Sequence, residues 1–362
     1  MKFTVKGTVL AKALAAPAKV AGTTNYHSPV LSGVRLSLSG DELDIKGTNL
    51  DTTISTVVPV EGAQDGVAVV PARLLADIAR GASDDLSVEV EGSEVALKAG
   101  KRKFTIRCYD VTDFPQVDEF VGDNFTFPVE DFALALARVV PAASGDDHRP
   151  ALTGVLFEPV DGGLALVATD SYCLARAVIP SITLGEHKVL APSSSLAEVV
   201  RSLPAVGKVQ IGLADQEICF TIDGLEIRSR LISTAYPNYG AIIPAASPNV
   251  AIVNRTELAD ALAQIKLIAK DPTVPAVFAF SQGGINISLS AKEVGSVTDN
   301  IDAEYTGTDA KVGFSPGRLI GVLDAVGGEE VRIEFGEATK PVLVKPTDQD
   351  DDFLYLAQPV RL

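Results

Sequence analysis

The residues LAKALA at Leu10–Ala15 return as FALALA at Phe132–Ala137 and as LADALA at Leu258–Ala263. Leucine and alanine at this spacing favour a helix with one apolar face. The copies lie 122 and 126 residues apart, which indicates a repeat of about 120 residues. A repeat of that length can bury its own hydrophobic core, unlike the short unit of a solenoid. We therefore predict three copies of one domain.

A second segment repeats in the same way and helps to place the boundaries. SPVLSGV at Ser28–Val34 returns as RPALTGV at Arg149–Val155, and an eroded third copy reads VPAVFAF at Val274–Phe280. The three copies fill almost the whole chain of 362 residues. The expected domains are an N-terminal domain at 1–122, a central domain at 123–248 and a C-terminal domain at 249–362.

Each copy is expected to contain two helices and many strands. The predicted helices are Gly7–Ala21, Ala72–Arg80, Val129–Val140, Ser193–Ser202, Asn254–Lys270 and Pro316–Ala325. Between them, apolar residues recur at every second position, as at Leu43 and Ile45, which is the period of a half-buried strand. Short turns separate these segments, so antiparallel sheets are expected. The predicted fold class is α+β, with two helices packed on antiparallel β-sheets in each copy.

Composition narrows the class of protein. Apolar residues make up 46% and charged residues 22% of the chain, as in a globular protein. No apolar run reaches the length of a membrane span, and Lys12 interrupts the only candidate for a signal peptide. Cys108, Cys173 and Cys219 form no C-x-x-C pair, so neither a disulfide framework nor a cysteine zinc site is expected. These features favour a cytoplasmic protein with no membrane partner.

The charge distribution is uneven along the chain. Thirty-one basic and forty-seven acidic residues give a net charge of −16, which by itself argues against a nucleic-acid-binding surface. Net charge says nothing about distribution, however. The six predicted helices together carry +3, so the negative charge lies outside them. This pattern is compatible with chance or with helices that line a surface facing phosphate.

No enzymatic constellation is found in the sequence. Gly145–His148 is interpreted as a polar loop rather than a metal site, because a second pair of ligands is missing. Cys173 is interpreted as a packed thiol. Ala168-Thr169-Asp170 matches Gly47-Thr48-Asn49 of the first copy, which indicates a turn at a strand end. Without a nucleophile elbow or a phosphate-binding glycine loop, we predict no catalytic residue, no metal and no cofactor.

Several short motifs in a fixed order resemble one protein family. They are Met1–Val5, Val70–Arg73, Asp113–Pro115, Val167–Asp170, Tyr236–Tyr239 with Ile243–Pro244, and Gln358–Leu362. Together with the threefold period, these residues resemble the β subunits of bacterial DNA polymerase III, the sliding clamps. The resemblance covers the whole chain. It implies a non-catalytic DNA polymerase processivity factor of the DNA clamp fold.

The resemblance also implies an assembly and a set of partners. Family members form a head-to-tail, ring-shaped homodimer in which twelve helices line a hole around duplex DNA. The implied partners are sequence-independent double-stranded DNA, the α subunit of DNA polymerase III, the clamp loader complex and other proteins with a clamp-binding motif. The implied location is the cytoplasm, in association with the nucleoid. A ring linked topologically to DNA needs only weak phosphate attraction, which is compatible with the net charge of −16.

Carried over by position, the resemblance implies three sets of site residues. The DNA-facing set is Lys12, Arg73, Arg80, Arg138, Arg201, Lys266 and Lys270. The peptide-binding cleft, expected between the central and C-terminal domains, consists of Leu152, Thr169, Tyr172, Leu174, Pro237, Ile242, Leu356 and Val360. The dimer interface consists of Lys101, Lys103, Arg107, Leu267, Ile268, Glu293, Asp302 and Glu304.

The chain departs from the family pattern at several of these places. Cys173 stands where arginine is common, Gln358 where methionine is common, and Gly240-Ala241 where a basic pair is common. The turn at 22–25 lacks an arginine, and the helix start at 193–195 lacks basic residues. These departures predict a weaker basic surface and an altered polar rim of the cleft.

Alternative interpretations stay open at this point. The basic residues Arg138 and Arg201 could pair with Glu198 and with the acids of the first helical turn. Leu267, Ile268 and the apolar cleft residues could be ordinary core. Two other classes of protein are an enzyme that uses His148, Thr169 and Asp170, and a repetitive β-rich binding or adhesion protein with no DNA role.

Overall fold

The computed structural model describes residues 1–22, 28–244, 247–269, 274–291, 294–348 and 350–362. The chain forms two compact units. Unit 1 comprises Met1–Val129 and Ser194–Leu231, and unit 2 comprises Glu130–Ser193 and Ile232–Leu362. The chain therefore leaves unit 1 at Val129 and returns to it at Ser194.

Six α-helices are present in the described ranges. They are α1 (Gly7–Ala21), α2 (Ala72–Arg80), α3 (Val129–Val139), α4 (Ser193–Ser202), α5 (Arg255–Ile268) and α6 (Pro316–Val326). All six lie where the hydrophobic periodicity predicted a helix. Asn254 is the N-cap of α5 rather than its first residue, because its side-chain oxygen accepts hydrogen bonds from the backbone N–H groups of Thr256 and Glu257. Lys270, predicted to end this helix, lies outside the described residues.

Unit 1 contains two sheets. In spatial order, the five-stranded sheet consists of β5 (Glu61–Gln64), β1 (Lys2–Lys6), β7 (Asp85–Glu91), β8 (Glu94–Ala99) and β9 (Arg102–Arg107). The eight-stranded sheet consists of β10 (Asp123–Pro128), β15 (Lys208–Leu213), β16 (Glu217–Ile222), β17 (Leu225–Arg230), β4 (Thr52–Pro59), β3 (Glu42–Thr48), β2 (Gly33–Ser39) and β6 (Gly66–Pro71). The larger sheet thus combines strands from the first and the second sequence repeat.

Unit 2 also contains two sheets. The nine-stranded sheet consists of β14 (Val189–Pro192), β11 (Gly154–Val160), β12 (Gly163–Thr169), β13 (Cys173–Pro180), β26 (Phe353–Ala357), β25 (Val342–Pro346), β24 (Glu330–Phe335), β18 (Asn249–Asn254) and β22 (Ala303–Thr306). The four-stranded sheet consists of β21 (Gly295–Ile301), β20 (Gly284–Ala291), β19 (Ala276–Ser281) and β23 (Ala310–Phe314). Strands of the second and third repeats are thus joined in one sheet.

Throughout the described ranges the strand pairs are antiparallel, as predicted. The connections are mainly short, which suits antiparallel neighbours. Because two sheets run from one repeat into the next, the compact units do not follow the repeat boundaries. The boundaries at 122/123 and 248/249 stay a prediction.

The core of unit 1 shows how a helix is held on a sheet. Leu10 and Leu14 of α1 and Leu75 of α2 are fully buried in one hydrophobic cluster with the strands. Gly47 of β3 lies so close to α1 that a Cβ atom there would be 2.1 Å from the carbonyl oxygen of Pro17. Only glycine fits this approach, which places α1 directly against the sheet.

None of the helices in the described residues is long and apolar enough to cross a membrane.

Candidate functional site

The Ala168-Thr169-Asp170 segment forms the turn that its sequence predicted. The Asp170 carboxylate accepts hydrogen bonds of 2.8 Å from the backbone N–H groups of Tyr172 and Cys173. The Thr169 hydroxyl accepts one from the N–H of Ser171, which adopts a φ of +80°. The carboxylate thus satisfies backbone donors and connects β12 to β13. This geometry is that of a structural Asx turn.

The first repeat contains the same turn. Asn49 accepts hydrogen bonds from the N–H groups of Asp51 and Thr52, and the Thr48 hydroxyl accepts one from the N–H of Leu50. Leu50 has a φ of +81°, as Ser171 has in the second repeat. The two turns connect equivalent strand pairs, so the repeat extends to individual hydrogen bonds.

An apolar cluster on the nine-stranded sheet contains the centre of the predicted cleft. Leu174 of β13 lies opposite Leu356 of β26 and, on its other side, opposite Thr169 of β12. Leu174 and Leu356 are buried among Leu156, Val167 and Leu343. The strand register therefore brings together three of the eight predicted cleft residues, which are distant in sequence.

The segment that contains Pro237 and Ile242 packs over this cluster. Tyr236, Tyr239 and Ile243 contact the cluster, whereas Pro237 is exposed and the Ile242 side chain is 47% exposed. The Tyr239 hydroxyl donates a hydrogen bond to Glu158, which also pairs with Lys188. Burial would raise the pKa of Glu158, but these two partners outweigh it and lower the pKa. Both tyrosines and Glu158 were missing from the predicted set, although Tyr236 and Tyr239 flank Pro237.

The C-terminal residues are held by two backbone hydrogen bonds. The N–H of Gln358 donates to the carbonyl of Tyr172, and the N–H of Val360 donates to the carbonyl of Gly313. The Tyr172 ring is 55% exposed and lies 4.2 Å from the guanidinium of Arg318. Tyr172 directly precedes β13, which carries Leu174, and Val360 follows β26, which carries Leu356. Leu152 is half-buried at the end of a short 3₁₀ helix at Pro150–Thr153, in the same unit.

Cys173 is a packed thiol, as predicted. Its sulfur lies 3.2 Å from the Asp170 carboxylate. Burial, together with this negative charge, raises the pKa of the Cys173 thiol to about 11.

We expect Cys173 to resist alkylation at neutral pH. With a pKa of about 11, roughly one thiol in a thousand is ionised at pH 8, and the thiolate is the reacting form. Iodoacetamide should alkylate Cys173 about a hundred times more slowly than it alkylates free cysteine. Peptide mass spectrometry would measure the two rates. The rate for Cys173 should rise about tenfold per pH unit and level off only above a pH of about 11. Labelling of Cys173 at the rate of free cysteine would contradict the packed environment.

The polar segment around His148 behaves as a loop. The Asp146 carboxylate accepts hydrogen bonds from the His148 backbone and pairs with Arg149 at 2.9 Å. Arg149 in turn donates to the Ser171 hydroxyl at 2.8 Å. Among the residues that the structure describes, no group of three or more His, Cys, Asp or Glu side chains is arranged to hold a metal ion.

The predicted DNA-facing residues differ in their surroundings. Lys12 on α1, Arg73 on α2 and Lys266 on α5 are exposed. Arg80 is exposed and pairs with Asp77 at 2.9 Å, one turn earlier on α2. Arg201 pairs with Glu198, as the alternative interpretation anticipated. Glu198 also binds Lys19 of α1 at 2.9 Å, so within unit 1 it links α1 to α4.

Arg138 does not fit the predicted DNA-facing set. Its side chain is only 11% exposed and pairs with Asp351 at 2.7 Å. The guanidinium also donates to the Val326 carbonyl at 3.0 Å and lies 4.8 Å from the centre of the Phe353 ring. The sequence did not predict this partner, because Asp351 is 213 residues away. Arg138 therefore stabilises unit 2 through this ion pair, which corrects its assignment to the DNA-facing set.

A groove lined by three cations lies between α1 and α2 in unit 1. It has a volume of about 280 Å³ and is lined by Lys19, Arg73 and Arg80 together with small alanine side chains. The small side chains expose the helix surface between the three cations. Such a groove suits a phosphate of a polyanion better than an apolar ligand.

The predicted interface residues lie largely at sheet edges. β9, which carries Lys103 and Arg107, is the outer strand of the five-stranded sheet, and Lys101 precedes it. β22, which carries Glu304, is an outer strand of the nine-stranded sheet, and Asp302 directly precedes it. These five charged side chains are all exposed. Glu293 lies outside the described residues, as do positions 23–25 of the turn that lacks an arginine.

The two apolar residues at the end of α5 differ in their exposure. Leu267 is 69% exposed, which excludes it from the core of unit 2. Ile268 is half-buried. A leucine exposed to this extent is compatible with a surface that binds another protein.

Three family models match successive parts of the chain. The DNA polymerase III beta subunit N-terminal domain matches residues 1–118, its central domain residues 126–238, and its C-terminal domain residues 240–361. The beta sliding clamp of Pseudomonas aeruginosa is 30% identical over 373 residues, covering 100% of both chains. That of Streptomyces coelicolor is 27% identical and also covers 100% of both.

Solved structures agree with these matches. A crystal structure of the DNA polymerase sliding clamp from Pseudomonas aeruginosa superposes with a TM-score of 0.91 at 29% identity. A sliding clamp from Bartonella birtlesii, bound to griselimycin, superposes with a TM-score of 0.93 at 25% identity. Each comparison covers 100% of both chains.

Three consecutive clamp domains of α+β fold with antiparallel sheets define a DNA clamp. The chain belongs to the DNA polymerase III beta subunit family. It is a DNA polymerase processivity factor and a non-catalytic accessory subunit that acts with DNA and polymerase in replication. The alternative interpretations as an enzyme and as a β-rich adhesion protein are therefore wrong.

Proposed function

We propose that two copies of this chain close head to tail into a ring around duplex DNA. The observation that carries the proposal is the match to sliding clamps over the full length of the chain. A ring holds DNA by topology, so it can slide while it tethers a polymerase. The cytoplasm, in association with the nucleoid, is the corresponding location.

Two sheet edges support a head-to-tail interface. The exposed cations Lys101, Lys103 and Arg107 lie on or beside the outer strand β9, in the first repeat. In the third repeat β21 is also an outer strand, and Asp302 and Glu304 follow it. An outer strand offers unpaired backbone groups to a neighbouring chain. Edges of opposite charge on opposite ends of the chain favour a heterologous contact that closes a ring.

The proposed cleft is formed within unit 2 around Leu174 and Leu356. A buried leucine pair, the exposed Ile242 and Pro237 nearby in sequence, and the C-terminal residues at its side suit a short extended peptide with apolar anchors. The proposed occupants are clamp-binding motifs of the polymerase III α subunit, of the clamp loader complex and of other replication and repair proteins. Because such motifs are short, one or two anchors should supply most of the affinity.

A topological test separates a ring from an ordinary DNA-binding protein. We expect a clamp loader from a relative, with ATP, to place the protein on a nicked circular plasmid, where it stays through gel filtration. Cutting the circle at one site should release it within minutes, because a ring slides off a free end. Release should stop when a bound protein blocks both ends. Equal retention on circular and linear DNA would contradict encirclement.

Charge reversal should weaken contact with DNA inside the ring. We expect Lys12→Glu/Arg73→Glu/Lys266→Glu to shorten the lifetime on nicked circular DNA, because each lost phosphate contact lowers the salt-dependence exponent by roughly 0.9. The lifetime should be measured between about 50 and 200 mM salt, the range over which counterion release is resolved. Lys208→Glu/Lys311→Glu/Lys340→Glu changes the same charge at exposed lysines on or beside the sheets and should leave retention unchanged. Equal effects of both triple variants would refute a helix-lined channel.

A further inference from the structure

The first repeat presents the counterpart of the proposed cleft with different chemistry. The offset of 121 residues between the repeats aligns Arg35 with Leu156 and Lys46 with Val167. Arg35 lies opposite Lys46, just as Leu156 lies opposite Val167. The buried leucine and valine of unit 2 are thus replaced by two cations in unit 1.

A third cation completes this replacement. Arg228 of β17 lies opposite Thr53 of β4, in the place that Leu356 occupies opposite Leu174 in unit 2. Three basic residues therefore stand where the unit 2 cluster has leucine and valine. Both faces are built on equivalent strand pairs joined by an equivalent turn. The replacement of leucine and valine by arginine and lysine therefore changes the chemistry of the surface and leaves the backbone arrangement the same.

Two adjoining cavities lie over this basic face. One, of about 320 Å³, is lined by Arg35, Lys46 and the segment 111–118. The other, of about 420 Å³, is lined by the turn at 48–53, by 115–119 and by Arg228. The segment Pro115–Asp118 lines both cavities. The two cavities therefore adjoin along this segment and together form one groove. Their volumes lie in the range of ligand-binding pockets.

Arg228 retains an unused donor although it is buried. Its side chain is 9% exposed, donates to the Asp118 carbonyl at 2.6 Å and contacts Glu226 at 3.2 Å. The guanidinium carbon of Arg228 lies 5.4 Å from the centre of the Phe120 ring. Within the described residues, the Nε–H group has no hydrogen-bond partner. A buried donor without an acceptor costs free energy. Arg228 also lines the second cavity, so its charge is available to an anionic group bound there.

Arg35 and Lys46 face each other on adjacent strands, and this pairing also favours a ligand with a negatively charged acceptor group. Like charges directly opposite each other on adjacent strands destabilise a sheet. The Asp44 carboxylate compensates only in part, because it lies 3.8 Å from the Arg35 guanidinium. An added carboxylate between the two cations would remove the remaining repulsion.

The rim limits what can enter. Asp51, Asp118, Glu119 and Glu217 line the second cavity and make its surroundings acidic. A nucleic-acid backbone carries a dense row of charges and would be repelled by these carboxylates. A single carboxylate on an otherwise uncharged, extended peptide meets much less of this repulsion than a polyanion does.

We propose that this groove, here called the basic groove and formed by Arg35, Lys46, Arg228 and the segment 111–119, is a second peptide-docking site. Its ligand is an extended segment of a partner protein with an aspartate or glutamate side chain at its centre. The site is independent of ring closure and of the cleft around Leu174. One chain could therefore hold two different partner segments at the same time.

The test uses the full-length protein immobilised on a resin. The probes are two mixtures of acetylated, amidated pentapeptides that differ only at the central residue, which is Asp or Glu in one mixture and Asn or Gln in the other. Retained peptides are counted by mass spectrometry. Because a hydrogen bond to a charged group is stronger than one between neutral groups, we expect the acidic mixture to be enriched roughly tenfold or more.

Three altered chains locate the binding. Arg35→Gln/Lys46→Gln should lose the tenfold preference, whereas Lys208→Gln/Lys340→Gln, at exposed lysines outside the groove, should keep it. A chain that lacks 358–362 should also keep it, which separates this site from the cleft of unit 2. The proposal is overturned if both mixtures are retained equally, if the Arg35/Lys46 variant keeps the preference, or if the truncated chain loses it. Displacement of the acidic peptides by an equal concentration of duplex DNA would also overturn it.

Discussion

Leu267→Ala/Ile268→Ala is expected to convert the protein into a folded monomer. Leu267 is 69% exposed in the single chain, so its apolar surface is available to a neighbouring subunit. Burial of a leucine or isoleucine contributes about 1.5–3 kcal/mol, and truncation of two anchors should weaken the dimer by roughly 100-fold or more. Multi-angle light scattering and sedimentation velocity over a range of concentrations would measure this change.

The control variant makes the same kind of truncation at a different position on the surface. Val57→Ala/Val206→Ala also truncates two exposed branched side chains, which are 54% and 70% exposed. These changes should leave the dimer intact. Circular dichroism should show both double variants folded, because Leu267, Val57 and Val206 are exposed and Ile268 is only partly buried. A dimer of unchanged dissociation constant in the Leu267/Ile268 variant would show that the interface lies elsewhere.

Deletion of Gln358–Leu362 is expected to abolish peptide binding to the unit 2 cleft. It removes Val360 and the hydrogen bonds that Gln358 and Val360 make to Tyr172 and Gly313. An extended peptide would lose one wall of its site and an ordered backbone beside it, and we expect its affinity to fall about 100-fold or more. Fluorescence anisotropy with a labelled clamp-binding-motif peptide of a polymerase III α subunit would measure the loss.

A shorter deletion provides the matched control. Removal of Arg361–Leu362 alone keeps both backbone hydrogen bonds and should preserve most of the affinity. Both truncated chains should remain dimeric and stay on nicked circular DNA, because the proposed subunit edges are unchanged. If the peptide binds equally well to the chain without 358–362, the cleft lies in another part of the molecule.

Local structure could be predicted closely from the sequence. All six helices lie where apolar periodicity placed them, and the bounds of α1, α2 and α4 agree to the residue. The turn at Thr169–Asp170 was also predicted, since Thr and Asp at a strand end bond to backbone groups two or three residues away. These features depend on interactions between near neighbours, and such interactions are readable from spacing alone.

The candidate sites were predictable to a smaller extent. The resemblance supplied Leu174 and Leu356, which the register then placed opposite each other. Tyr236 and Tyr239 belong to a motif of the resemblance but were left out of the predicted cleft, because a segment without periodicity does not indicate what its aromatic residues cover. Arg138 was placed on the wrong surface, because a basic residue on a helix indicates a charge and not the partner of that charge.

By itself, the sequence determined the threefold repeat, the α+β class, the antiparallel pattern and the family. Tertiary structure decided which strands became neighbours across repeats, as where β4 of the first repeat pairs with β17 of the second. It also decided which cations stay exposed, as Lys12 does, and which are neutralised, as Arg138 is. The reason is the separation in sequence between the residues that interact. Hydrogen bonds of helices and turns join residues a few positions apart, whereas sheet edges and ion pairs join groups that only folding brings together.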